Sequence, residues 1–163
     1  MRALYLNIES ARRMYNSVPF HLNFFKRQLE KTFGRKTLKP VHKRIKSYKD
    51  ACSELGLNPN EIPKVSELIP IAEQKAIIAF YKLIIIVRAL NEDWEPDWKD
   101  CMQEKWYPVF KRNENNGQFE FDCAKCISTF YTELQNPMIC KSHEIATYFG
   151  KQFSQIWKDY LLH

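Results

Sequence analysis

Glycine is scarce in this chain, which has only four glycines among its 163 residues. That composition argues against a linker-rich or low-complexity protein and leaves little material for a glycine-rich loop that cradles phosphates. The first residues also lack the apolar stretch and small-residue cleavage site of a secretory signal. We therefore expect a soluble protein that stays inside the cell.

Long apolar runs and catalytic motifs are missing as well. The most apolar segment, 76–87, contains Lys82 and is followed by Arg88, so it is too short and too charged to cross a bilayer. No serine has the flanking glycines of a nucleophile elbow, and no histidine lies in a His-Glu-x-x-His motif. The sequence thus predicts no membrane partner and no enzymatic activity. A hydrolase whose site is assembled from distant residues is the alternative.

Charge is distributed unevenly along the chain. The first 46 residues carry twelve Lys or Arg and only two acids, Glu9 and Glu30, whereas the other 117 residues carry thirteen bases and seventeen acids. The whole-chain charge of +6 is therefore the sum of a basic arm and a mildly acidic body. We accordingly divide the chain into a basic helical arm, residues 1–46, and a mixed body, residues 47–163, which can together form one compact unit.

Apolar periodicity predicts several helices. We expect one helix over 8–17 and a second that is capped by Ser17 and stopped by Gly34. In the body, the longest helix should cover about 71–91, where apolar residues surround it and indicate a central, buried position. The apolar stripe of the second helix consists of Leu22, Phe25, Leu29 and Phe33. The other expected caps and stops are Ser47, Gly56 and, for one final amphipathic helix, Ser142.

The last third of the chain contains strand signals. Segments 106–110 and 119–122 are typical of a hairpin whose turn, 113–117, contains Asn116-Gly117. A third strand can form at 138–140. The sequence predicts an α+β fold that is mostly helical. Its small antiparallel sheet, two or three strands within about residues 106–140, packs against the C-terminal helix and the central buried helix.

Several segments of the body resemble the signature of a protein family. They are ALNEDWEPDW within 87–98, WYPVF at 106–110, CKSHEIATYFGKQF at 140–153, and the segments 45–57 and 76–83. The family consists of small proteins from gut Bacteroidota, their phages and their mobile elements, and no activity is established for it. The resemblance implies a phage-linked origin and a place in the host cytoplasm or in a virion. Cys123, Cys126 and His143 depart from the family pattern.

The five cysteines, an odd number, indicate thiols or metal ligands rather than a disulfide framework. Cys123 and Cys126 form one short-spaced pair, and Cys140 and His143 form a second pair thirteen residues later. Two such pairs on adjacent hairpins can supply the four ligands of a structural zinc ion. This arrangement requires a tight turn between the first two cysteines, because residues three apart on a regular strand face opposite sides. Buried or surface thiols without metal are the alternative.

The basic arm is the second candidate site. Its cations can follow a phosphate backbone, and its aromatic residues Tyr15, Phe20, Phe24 and Phe25 can stack on bases or anchor a core. A solvated basic surface and a contact for an acidic protein are the alternatives. The candidate contact residues are Arg12, Arg13, Lys26, Arg27, Lys31, Arg35, Lys36, Lys39, Lys43, Arg44 and Lys46.

A third cluster is acidic and comprises Glu92, Asp93, Glu95, Asp97 and Asp100. It can hold a hard cation or serve as a polar loop, although its spacing does not match a calcium loop. On balance we expect no cofactor and a small accessory protein of a phage or mobile element that acts by binding. Nucleic acid is the first expected partner. A protein partner is the alternative, with the chain as a virion component or an inhibitor of a host or defence factor.

Overall fold

The chain has an α+β fold, as the sequence predicts. It is mostly helical and contains a two-stranded antiparallel sheet. Two compact units are present, Met1–Arg44 and Ile45–His163. The structure, a computed structural model, describes residues 6–19, 22–92, 94–114, 117–127 and 137–162, with Arg35 and Lys36 described by their backbone alone.

The N-terminal unit is built from short helices around a small apolar core. Its helices are α1 (Ile8–Ser17), α2 (Asn23–Phe33), α3 (Arg35–Leu38) and α4 (Val41–Arg44). The core consists of Ala11, Leu29 and Leu38, with Tyr15 and Phe33 packed against it. Each of the first three helices thus contributes one fully or nearly fully buried side chain.

The junction between α1 and α2 differs from the prediction. Ser17 does not cap α2. It is the last residue of α1, where its hydroxyl donates a hydrogen bond to the Met14 carbonyl, and α2 begins after Leu22 without a side-chain cap. Gly34 ends α2 as expected, with a positive φ of 79° and an N–H that donates to the Glu30 carbonyl.

The buried face of α2 is also rotated from the predicted stripe. Leu22 and Phe25 are 49% and 38% exposed. The reason lies on α1, where the Tyr15 hydroxyl donates to the Glu30 carboxylate at 2.6 Å and the Tyr15 ring lies 5.5 Å from the Lys26 ammonium. These polar contacts draw Lys26 and Glu30 towards α1, so the apolar residues at the start of α2 turn outward.

The C-terminal unit begins with helices whose ends follow local signals. Ser47 accepts a hydrogen bond from the Asp50 N–H and caps the first helix, which ends at a left-handed Gly56, as predicted. Ser142 caps a later helix by accepting from the Ile145 N–H, again as predicted. The elements of this unit are α5 (Tyr48–Leu55), α6 (Ile71–Asn91), β1 (Trp106–Arg112), β2 (Phe119–Cys126), α7 (His143–Gln152) and α8 (Ser154–Leu161).

Helix α6 is the central element. Its residues Leu83, Ile86 and Leu90 are completely buried, and it packs against α5, α7 and α8. At its end, Asn91 is buried and donates to the Ile139 carbonyl at 2.6 Å while accepting from the Lys141 N–H at 3.0 Å. No helix in the described part of the chain is long and apolar enough to cross a membrane.

The sheet contains a bulge in β2. Val109 pairs with Cys123, but Phe110 pairs with Phe121, so Asp122 is an additional residue on the second strand. At the two ends of the predicted turn, the Gly117 N–H donates to the Asn113 carbonyl, and Gly117 has a positive φ of 65°. Asn116 lies outside the described residues.

The expected third strand is a single β-bridge. Trp106 and Cys140 exchange backbone hydrogen bonds of 3.0 and 2.7 Å, and no further pairing extends this bridge among the described residues. The following residues enter the cap of α7 immediately, which leaves no length for a strand.

The final amphipathic segment forms two helices rather than the single helix that we predicted. Phe153 leaves the helical conformation between α7 and α8 and is buried, with its ring against Phe149 and Tyr148. Helix α7 lies directly on the sheet at Gly150, where an added Cβ would be 2.3 Å from a Phe121 ring carbon.

Candidate nucleic-acid interface

Carboxylates are scarce in the N-terminal unit. Met1–Arg44 contains eleven Lys or Arg and two acids. One of the acids, Glu30, accepts the Tyr15 hydroxyl at 2.6 Å and is half-buried. The other, Glu9, lies exposed in the first turn of α1, where the helix dipole stabilises a negative charge. The two acids cannot compensate the positive charge of this unit.

Some of the predicted contact residues have structural roles. The Arg12 Nε donates to the Thr37 carbonyl at 2.6 Å, and the Arg44 Nε donates to the Lys39 carbonyl at 3.1 Å. The Thr37 carbonyl belongs to the last turn of α3 and has no partner within that helix, so Arg12 caps it. Lys26, half-buried over Tyr15, also helps to hold the unit together.

Other predicted contact residues are available to a partner. Their side chains are exposed, and within the residues that the structure describes none of them has a carboxylate at ion-pair distance. Their positive potential therefore extends into solvent without local compensation. These residues are Arg13, Arg27, Lys31, Lys39 and Lys43.

One face of α2 combines cations with an aromatic ring. Leu29 and Phe33 turn inward, and Phe24, Arg27 and Lys31 follow each other at helical spacings of three and four on the opposite, exposed side. Phe24 is 75% exposed, the most exposed aromatic side chain in the described part of the chain. We call this surface, formed by Phe24, Arg27 and Lys31, the outer face of α2.

Sequence reasoning named each of these residues but did not group them. The predicted stripe already leaves Phe24 on the far side of α2, because Phe24 and Leu29 are five positions, or about 140°, apart around the helix. What the sequence does not reveal is the exposure of Leu22 and Phe25, which accompanies the contact between Tyr15 of α1 and Glu30 of α2.

The remaining predicted cations have separate positions. The side chains of Arg35 and Lys36 lie outside the described residues, as does Phe20. Lys46 belongs to the C-terminal unit, where its N–H donates to Asp50 and its carbonyl accepts from Gln152. Its exposed ammonium is therefore not part of the N-terminal unit.

The structure does not bring the four predicted zinc ligands together. Strand β2 is paired regularly from Cys123 to Cys126, so the required turn is absent and the two side chains point to opposite faces. Cys140 is fully buried and pairs with β1 on the side opposite β2. Two strand spacings, about 10 Å, therefore separate it from the exposed Cys126. His143 is exposed, and its ring packs edge-on against Trp106 at 5.0 Å.

No group of three or more His, Cys, Asp or Glu side chains in the described ranges is arranged to hold a metal ion. Burial alone raises the pKa of the Cys140 thiol, which disfavours the thiolate that a metal requires. The Lys111 ammonium, 2.9 Å from Asp122, lowers the pKa of that carboxyl group, and this ion pair is exposed at the sheet surface.

The acidic cluster is organised as a loop. Glu92 forms a 2.7 Å ion pair with Lys141. Asp97 and Asp100 accept hydrogen bonds from backbone N–H groups two residues further on, which is the geometry of local turns. Asp93 lies outside the described residues.

A buried lysine, which the sequence did not indicate, supports this loop. Lys105 is 1% exposed, and its ammonium donates to the Asp100 and Gln103 carbonyls at 2.9 and 3.1 Å beside the Trp98 ring. Its contacts hold the chain between α6 and β1 in place.

Comparison with known proteins gives no relative: no protein family, no curated protein and no solved structure matches this chain. The family resemblance of residues 45–162 stays a prediction, and function is inferred from the geometry of the N-terminal unit.

Proposed function

We propose that this protein binds nucleic acid electrostatically, through the N-terminal unit, as a non-enzymatic accessory protein. The observation that carries the proposal is the set of exposed cations without a carboxylate partner in a unit that has only two acids. Phosphates along a nucleic-acid backbone present negative charge at regular intervals, and Lys and Arg that neutralise them release condensed counterions. This release supplies most of the free energy of binding without sequence preference.

The division of labour among the cations supports the proposal. Arg12 and Arg44 donate to backbone carbonyls and keep the short helices α3 and α4 in place. Among the described side chains, those without such a role are exposed at the surface, namely Arg13, Arg27, Lys31, Lys39 and Lys43. The unit thus has one set of cations that stabilises it and a second set that can contact phosphates.

Charge reversal tests the proposal. We expect the variant Arg27→Glu, Lys31→Glu, Lys39→Glu and Lys43→Glu to bind a labelled oligonucleotide more than about tenfold less tightly at one fixed salt concentration. Fluorescence anisotropy measures the affinity, and circular dichroism verifies that the variant is folded.

The matched control reverses four exposed lysines of the C-terminal unit, Lys49, Lys64, Lys99 and Lys125. Both variants change the net charge equally, so only the location of the charge differs. We expect the control to retain most of the binding. Equal losses in both variants, or full binding by the first variant, would contradict a localised interface.

A protein partner is the second candidate, and an apolar depression favours it. The depression, about 350 Å³ in volume, lies between α6 and α8 and is lined by Glu73, Ala76, Ile77, Phe80 and Tyr160. Ile77 is 40% exposed there. The chemistry fits a partner that inserts an apolar side chain next to a Lys or Arg, since Glu73 can pair with that cation.

In this second proposal the chain acts as a virion component or as an inhibitor of a host or defence factor. It predicts a nuclease-resistant complex that Ile77→Asp abolishes and that the exposed control Leu68→Asp preserves. Size-exclusion chromatography of the purified complex measures both outcomes. A complex that both variants retain would exclude the depression as its interface.

A further inference from the structure

We propose that the nucleic acid bound by the N-terminal unit is single-stranded, with one of its bases stacked on Phe24. This inference deepens the proposed function and depends on it. It starts from the outer face of α2, where an aromatic ring that is not used in packing lies among cations that are not used in ion pairs.

Phe24 contributes little to the fold. The core of its unit is formed by Ala11, Leu29 and Leu38, and α2 meets that core on the side opposite Phe24. A single exposed apolar side chain is common on protein surfaces and by itself indicates nothing. The second observation is therefore the identity of its neighbours on the same face.

Those neighbours are Arg27 and Lys31. They lie about 4.5 and 10.5 Å further along the helix axis, on the same exposed side as Phe24. Both are long enough to reach phosphates that follow a base stacked on the ring. An aromatic platform beside cations that track the backbone is the recurring arrangement of proteins that bind single strands without sequence preference.

A duplex would use only part of this surface. Its phosphates can meet Arg27 and Lys31, but its bases are stacked on each other and offer no free face to Phe24. Unstacking a base pair costs a few kcal/mol, which a single exposed ring on a short helix does not recover. The ring therefore adds affinity for a strand whose bases are already accessible.

The experiment compares a single-stranded oligonucleotide with a duplex of the same length at the same salt concentration. We expect Phe24→Ala to weaken single-strand binding by roughly 5-fold to 150-fold, the range for the loss of one stacked base, and to change duplex binding by less than about twofold. Phe24→Trp should retain the affinity for the single strand. Phe24→Leu should behave like Phe24→Ala, because leucine keeps an apolar surface but has no aromatic face.

Leu68→Ala is the control, since Leu68 is 95% exposed and lies in the C-terminal unit. The inference is overturned, with the proposed function intact, if Phe24→Ala binds both nucleic acids as the wild type does or loses both equally. It is also overturned if Phe24→Leu keeps the wild-type affinity, because a purely apolar contact, such as one with a protein, then explains the residue. If neither nucleic acid binds the wild type, the proposed function itself fails.

Discussion

Gly150 shows how one residue determines the fit of a helix on a sheet. Helix α7 approaches so closely at this position that an added Cβ would lie 2.3 Å from a Phe121 ring carbon and 2.9 Å from the Pro108 Cβ. The Phe121 ring also contacts Phe110, so it has little room to move. A glycine inside a helix destabilises the helix relative to alanine. The close approach of α7 to the sheet explains why glycine nevertheless occupies this position.

Gly150→Ala gives a prediction with a definite sign. Helix propensity alone predicts stabilisation by about 1 kcal/mol, because alanine replaces glycine inside a helix. The contact with Phe121 predicts the opposite, a loss of about 1–3 kcal/mol from overpacking. We expect a lower midpoint in thermal unfolding followed by circular dichroism. A higher midpoint would show that the helix does not approach the sheet this closely.

The thiols give a second prediction at the scale of single residues. Burial raises the pKa of the Cys140 thiol, so less thiolate is present at a given pH and alkylation is slower. Cys52 is also buried, whereas Cys101 and Cys126 are exposed. In the folded protein at about pH 8, near the ordinary pKa of a cysteine, we expect iodoacetamide to modify the exposed thiols first, as read by peptide mass spectrometry.

The same labelling tests the zinc prediction. Added zinc should not change the pattern, since Cys126 and Cys140 lie on opposite sides of β1. Protection of Cys123, Cys126 and Cys140 together on adding zinc would contradict the observed separation and restore the predicted ligand set. Elemental analysis of the amount of zinc per chain tests the same prediction directly.

Among elements, most ends with local signals were predicted correctly, and Ser17 is the exception. Ser47, Gly56 and Ser142 are correct because each of these caps joins residues at most five positions apart. The break at Phe153 was missed because Ile145, Phe149, Phe153 and Trp157 keep an unbroken spacing of four across it. The apolar spacing indicates which residues are buried. It continues from α7 into α8, although the helical hydrogen-bonding pattern is interrupted between the two helices.

The connection between α6 and α7 depends on Asn91. Its side chain bonds two backbone groups of the segment before α7, the Ile139 carbonyl and the Lys141 N–H. Asn91→Ala leaves both groups without this partner in a buried position, so we expect a loss of about 1–3 kcal/mol in the free energy of unfolding. Chemical denaturation measures it.

Asn60→Ala is the matched control, because Asn60 is exposed in the turn that follows α5. It should change the free energy of unfolding by less than about 0.5 kcal/mol. Equal, small effects of the two substitutions would indicate that the Asn91 hydrogen bonds do not fix the segment.

At the scale of the whole molecule, the sequence shows where charge accumulates but not which charges are used internally. The excess of bases over acids before residue 46 is visible by counting. The roles of Arg12 and Arg44 are not, since each depends on how the short helices meet. The exposure of Leu22 and Phe25 could not be predicted for the same reason, because it depends on the contact between Tyr15 and Glu30.

The two units differ in charge. Ile45–His163 carries fourteen bases and seventeen acids. Some of these charges neutralise each other in ion pairs such as Lys111–Asp122 and Lys141–Glu92. Met1–Arg44 has too few acids for such pairing. Binding of an anionic polymer should therefore depend on this unit, and it should be strongly sensitive to salt.

The most direct test of this claim is the affinity of the wild-type protein for a single-stranded oligonucleotide as a function of salt concentration. If the five exposed cations each neutralise one phosphate, the logarithm of the association constant should fall with the logarithm of salt concentration with a slope of about −3.5. A slope near zero, or no binding at the lowest salt concentration, would contradict an electrostatic interface on the N-terminal unit.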